Sequence, residues 1–167
     1  MSSFIITDEV AGSQAIAGTS TTKNHPLGTI VRATDGATTA YGSGEFIYLS
    51  GVTGTVVGSF VTVHEDGMTT TLLAANDIGR VALAMSINIG SQYGWYQISG
   101  KGVGKVAASF ADNGLVFATA TAGTADDAVV AGDRVKQCIG ASAIDTPSTG
   151  LAEMELDHPF MDDATSA

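Results

Sequence analysis

Three histidines, one cysteine and a glycine-lysine stretch are the parts of this 167-residue chain best equipped for chemistry. His25, His64 and His158 could act as general bases or as metal ligands. Zinc asks for His and Cys at short spacings and calcium for a loop of alternating carboxylates. Neither Asp126-Asp127 nor Asp162-Asp163 supplies such a spacing, so no metal site is expected. His64 should mark the exposed end of a strand beside the turn Glu65-Asp66-Gly67. His25 and His158 each precede a proline, in loop-like segments. Cys138 lies in the run Val135-Lys136-Gln137-Cys138-Ile139, where a small buried thiol is expected rather than a nucleophile. As the lone cysteine it also excludes an intrachain disulfide, which fits a reducing cytoplasm.

The stretch Gly100-Lys101-Gly102-Val103-Gly104-Lys105 has the look of a phosphate-binding loop. A P-loop needs a glycine five residues before its Gly-Lys pair and a hydroxyl after it, but those positions hold Ser99 and Val106. A dinucleotide fingerprint needs glycine where Lys105 stands, with a helix to follow. The residues predict a glycine-rich turn between two strands instead. Tyr93, Trp95 and Tyr96 form the one aromatic concentration, read as core or subunit contact with carbohydrate stacking as the alternative. No catalytic, cofactor-binding or metal-binding residue is expected.

The elements that carry these groups are short β-type runs bounded by glycine or Asn/Asp turns. In residues 80–89, Val81, Leu83, Met85, Ile87 and Ile89 alternate with Arg80, Ala82, Ala84, Ser86 and Asn88, a strict period of two. That pattern predicts a half-buried strand with the five large side chains on one face. Further strands are predicted over 29–33, 45–49, 56–64, 69–73, 93–99, 103–107, 115–119 and 134–141. Glu65-Asp66-Gly67, Asp112-Asn113-Gly114 and Thr34-Asp35-Gly36 read as hairpin or turn signals. Residues 120–131 have the composition of a short, glycine-limited helix. The fold class expected is all-β, a small sandwich or barrel of short antiparallel strands.

Residues 1–26 are rich in Ala, Gly, Ser and Thr, lack periodicity and reach a proline at Pro26, the composition of an extended N-terminal arm. Residues 27–160 make the β-rich module and residues 161–167 an acidic flexible tail. The start of the chain shows no signal-peptide pattern, and no apolar run approaches the ~20 residues of a membrane helix. With 17 acidic against 7 basic residues the net charge is -10. Such a field repels nucleic acid and anionic membranes, so neither is expected as a partner.

Four segments carry a resemblance: Leu27-Gly28-Thr29-Ile30-Val31-Arg32-Ala33, Gly44-Glu45-Phe46-Ile47-Tyr48-Leu49-Ser50-Gly51-Val52, Gly58-Ser59-Phe60-Val61-Thr62-Val63, and Asn76-Asp77-Ile78-Gly79-Arg80-Val81-Ala82-Leu83-Ala84-Met85. Together, over residues 27–144, they resemble the decoration, cement or head-associated proteins of tailed bacteriophages. The resemblance implies a non-enzymatic structural virion protein, made in the host cytoplasm and often a homotrimer. It would sit on the outer capsid surface and clamp neighbouring major capsid protein subunits. The family has no catalytic residues to carry over and no cofactor. Another virion component, such as a head fibre base or tail protein, or an all-β hydrolase or sugar-binding module, stands as the alternative.

Overall fold

Alternation of side chains along the strands decides the architecture, because a strand sends successive residues to opposite sides and this fold covers both. The computed structural model describes residues 3–8 and 12–164. Residues 1–2 and 9–11 of the expected arm and 165–167 of the expected tail lie outside the described residues. The described chain is all-β. Its strands are β1 (Phe4–Ile6), β2 (Thr19–Ser20), β3 (Ile30–Asp35), β4 (Ser43–Ser50), β5 (Phe60–His64), β6 (Thr69–Leu72), β7 (Gly79–Ala84), β8 (Tyr93–Lys105), β9 (Leu115–Ala118), β10 (Ala125–Asp126), β11 (Arg134–Gly140) and β12 (Leu151–Met161).

All twelve belong to one antiparallel sheet, in the order β1-β3-β4-β8-β7-β12-β11-β9-β10, with β5 and β6 leading off β7 and β2 lying on β8. The sheet curls back on itself at two places. Ser50 N donates to Met68 O at 3.3 Å, and Ala107 N donates to Ala125 O at 2.8 Å. No continuous ladder runs across these seams, so the fold is sandwich-like and barrel-like without being a closed barrel.

Three apolar clusters are separated by strands that feed two of them at once. β5 and β7 send Phe60, Val81 and Leu83 into a first cluster shared with Val116, Val135, Met154 and Leu156. The same two strands send Val61, Val63, Ala82 and Ala84 into a second, where they meet Ile47, Leu49, Tyr96 and Ile98. β4 and β8 face the second cluster with those residues and a third with Phe46, Tyr48 and Trp95. Each fully buried large side chain contributes about 1.5–3 kcal/mol.

The N-terminal segment closes the third cluster. Ile16 is 2% exposed there, and Phe4, Ile6 and Leu27 pack against the same cluster. β1 pairs with β3, and β2 pairs with β8. The expected extended arm is therefore laid along the module, because apolar residues spaced through its small-residue sequence find an uncovered sheet face.

Several sequence expectations are corrected. The run 80–89 is a strand only to Ala84, and both of its faces are buried: Val81 and Leu83 on one side, Ala82 and Ala84 on the other. Beyond it Ser86 and Asn88 turn inward, while Ile87 is 61% and Ile89 42% exposed, the reverse of the expected polarity. The glycine-rich turn at 100–105 is the second half of the 13-residue β8, which runs on to pair with β12 from Ser99 to Lys105. Residues 120–131 hold β10 and turns instead of a helix. Asp112-Asn113-Gly114 is a turn, with Asn113 at φ 59°, but β9 follows it without pairing to β8, so it makes no hairpin. The acidic end of the chain contains β12, whose Ala152, Met154 and Leu156 point inward while Glu153, Glu155 and Asp157 point outward. Met161, expected in the tail, is 1% exposed. The hairpin at Glu65-Asp66-Gly67 joins β5 to β6 as expected, with His64 opposite Thr69.

Candidate functional site

The groups singled out for chemistry are scattered by this fold and given structural partners. His25 sits against Tyr48 and Trp95, with ring centroids 5.0 and 5.3 Å away, and its Nε2 accepts from Gln14 N at 3.1 Å. His64 is exposed at the end of β5, 3.0 Å from Thr71 Oγ1. Cys138 is buried, and desolvation pushes its thiol up to about 12, so at neutral pH it is a protonated core side chain. Asp126 accepts from Asp127 N at 2.8 Å and Asp127 from Ala111 N at 3.0 Å, so this pair staples a loop. Asp162 pairs with Lys136 at 2.6 Å, and that hydrogen bond holds its carboxyl below the usual range. No group of three or more metal-ligating side chains occurs among the described residues.

Gly100 takes φ +90° where β8 passes the backbone of Ser43; a side chain there would meet the Ser43 carbonyl at 2.5 Å. Gly102 and Gly104 make room for Gln97 and for the Phe60 ring, at 2.5 and 2.8 Å from where their side chains would begin. These glycines serve close packing inside a strand. No helix follows them to receive a phosphate. Trp95 and Tyr96 are fully buried on opposite faces of β8, which removes them as platforms for stacking on a sugar, and Tyr93 is partly buried against the third cluster.

The fold also makes a cluster whose members are too far apart in sequence to be read together. His158, on β12 at φ 55°, places Nε2 3.0 Å from Glu45 Oε2 and Nδ1 3.4 Å from Asp157 Oδ1. Arg32 Nε lies 3.2 Å from Glu45 Oε1. A histidine held by a carboxylate is the supporting half of a nucleophile-activating triad. Here both ring nitrogens face carboxylates, so neither is turned to a hydroxyl or thiol. The arrangement is an exposed polar network that ties β12 to β4 across β8.

An apolar groove of about 560 Å³ lies between the start of β11, β9 and the loop after β10. Val129 is 80% exposed on its wall, Val130 and Leu115 are also exposed, and Phe117 lines it from β9. Two of the seven basic residues border it. Lys136 is tied to Asp162 and lies 5.8 Å over the Phe160 ring, whereas Arg134 has no salt bridge among the described residues. Asp133, next to Arg134, is turned away and accepts from Asn76 N at 2.7 Å. The groove offers an apolar floor with one free guanidinium, which suits an extended segment that carries apolar side chains and a carboxylate. Its apolar members Val129 and Val130 belong to the stretch read as helical, where no surface groove is expected. No family model, no curated protein and no solved structure matches this chain.

Proposed function

We propose that this chain is a structural virion protein that decorates and cements the outside of a phage capsid by bridging major capsid protein subunits. The observation that carries the reading is the apolar groove of Leu115, Phe117, Val129 and Val130 with the unpaired Arg134 at its edge. It is a docking feature for protein, on a module in which His25, Cys138, Asp126, Asp127 and Asp162 are engaged in holding the fold. The occupant is an acidic and apolar segment of a capsid subunit. A second contact is available at β1, which pairs with β3 on one side only and presents Ile5 to solvent at 59% exposure. Two modest contacts to neighbouring subunits reinforce each other through effective concentration, and a homotrimer multiplies them. The role asks for no catalysis, cofactor, nucleic acid or membrane.

The test is co-sedimentation of the full-length protein with capsids lacking decoration. The wild type should pellet with capsids, and Val129→Asp and Arg134→Glu should each lower the affinity at least about tenfold, or ~1.4 kcal/mol. Both substituted positions are exposed, so folding is retained. Failure of the wild type to bind overturns the role. Wild-type binding that both variants retain in full overturns the groove as the contact.

A further inference from the structure

Twenty-four of the 167 residues are formally charged, as 17 acidic and 7 basic, yet three long stretches of the chain have none. Residues 12–22, 46–63 and 81–100 contain no Asp, Glu, Lys or Arg. The fold brings these three stretches together. Gly51 N donates to Gln92 O at 2.8 Å and Val52 N to Asn88 O at 3.1 Å, which joins the loop after β4 to the loop after β7. Thr19 and Ser20 pair with Gly94 and Tyr93, and Gln14 Nε2 donates to Tyr93 O at 3.1 Å, which lays the N-terminal segment beside them. Lys105, whose amide donates to Gly58 O at 2.7 Å, and Lys23, which follows Thr22, are charged residues that border this end.

The uncharged end also shows apolar side chains that a solvated loop has no reason to present. Asn88 is fully buried, donating to the Tyr96 hydroxyl at 3.0 Å, and its neighbours Ile87 and Ile89 are forced outward to 61% and 42% exposure. Val56, on the adjoining loop, is 40% exposed. Other exposed apolar side chains stand among charges: Ile78 between Asp77 and Arg80, and Val129 near Asp127 and Arg134. Ile87, Ile89 and Val56 thus stand exposed within stretches of chain that carry no charge.

We propose that this uncharged end is where copies of this chain meet. Two molecules that each carry -10 repel wherever their charged surfaces face each other. An interface between them is least opposed where neither has charges to bring together or to desolvate, and the cores of protein interfaces are depleted of charge for the same reason. A basic partner would be drawn to the acidic remainder of the surface instead. The contact lies away from the β9/β11 groove in sequence and in sheet position, so it stands whether or not the capsid reading holds.

Sedimentation velocity on the full-length protein tests this. The wild type should self-associate at micromolar concentration, and association should strengthen as salt is raised, because screening weakens the repulsion of the acidic surfaces and leaves the apolar contact untouched. Ile87→Asp/Ile89→Asp should sediment as a monomer, and Val56→Asp, on the other loop, should weaken association at least tenfold. Circular dichroism reports that each variant is folded, and Val129→Asp in the groove should associate like the wild type. A wild type that stays monomeric at high micromolar concentration and high salt overturns the proposal. So does association that weakens with salt, association unchanged by the Ile87/Ile89 and Val56 variants, or dissociation caused equally by Val129→Asp.

Discussion

The indole Nε1 of Trp95 donates to the backbone carbonyl of Gln14 at 2.9 Å, across 81 positions of sequence. Through this bond, and through the Tyr48 hydroxyl that donates to Gln14 Oε1 at 2.9 Å, the N-terminal segment becomes the lid of the third apolar cluster. Removing residues 1–24 would uncover Phe46, Tyr48 and Trp95. The truncated chain should therefore be destabilised strongly. Ile16→Ala alone should cost about 2–5 kcal/mol, by loss of burial and by the cavity left behind. Urea denaturation followed by Trp95 fluorescence measures both; a truncated chain as stable as the full one would refute the lid.

Leu83 and Ala84 point to opposite sides of β7, and both sides are buried, at 0% and 1% exposure. Leu83→Asp and Ala84→Asp should then be alike in preventing folding, since each buries an unpaired carboxylate. Ile87→Asp, three residues on, should change monomer stability by no more than about 0.5 kcal/mol. Soluble yield and thermal melts distinguish these outcomes.

How far the sequence discloses the fold depends on what each strand carries. The all-β class is legible because β-branched residues and Gly/Asn/Asp turns recur throughout. In β12, Ala152, Met154 and Leu156 alternate cleanly with Glu153, Glu155 and Asp157, yet the acidic residues give the segment the composition of a solvated tail. In β8, Gly100 and Gly104 have turn composition because the strand passes too close to Ser43 and Phe60 for side chains, a constraint set by distant residues, and Gly102 leaves room for the Gln97 side chain of the same strand. The period of two in residues 80–89 is present in the sequence but continues past the end of the strand. Nothing local marks where Asn88 is drawn inward by Tyr96. The His158 network joins residues far apart in sequence, and the groove joins β9, β11 and the loop after β10 through their pairing, so spacing holds no trace of either.

Gly104 has no room for a side chain: a Cβ would come 2.8 Å from the Phe60 ring and 3.0 Å from Met154 Cγ. Gly104→Val should overpack the first cluster and destabilise by about 1–3 kcal/mol or more. Phe60→Leu in the same chain should recover part of the loss. Independent, additive effects of the two substitutions in chemical denaturation would show that they do not meet.

Asp35 is held at about 2, below the ordinary 3.8, first by the Thr38 hydroxyl at 2.7 Å. Burial opposes this, and the amides of Ala37, Thr38 and Tyr41 add to it. Because the folded value is the lower one, the contribution to stability is present above the unfolded value and is lost as pH falls from about 4 through about 2. Cys138 works in the opposite direction. Its folded value of about 12 exceeds the ordinary 9.0, so stability falls as pH rises above about 9 and the unfolded thiol ionises. Asp35→Asn should flatten the acid limb of a stability profile, and Cys138→Ala the alkaline one; profiles unchanged by these substitutions would contradict the assignments.

Capsid reinforcement is tested most directly by the temperature at which filled particles release DNA, with and without this protein bound. Particles carrying the wild-type chain should retain DNA to a higher temperature than undecorated ones, and particles incubated with Val129→Asp should release it near the undecorated temperature. Release at the same temperature with and without saturating wild-type protein would contradict a cementing role.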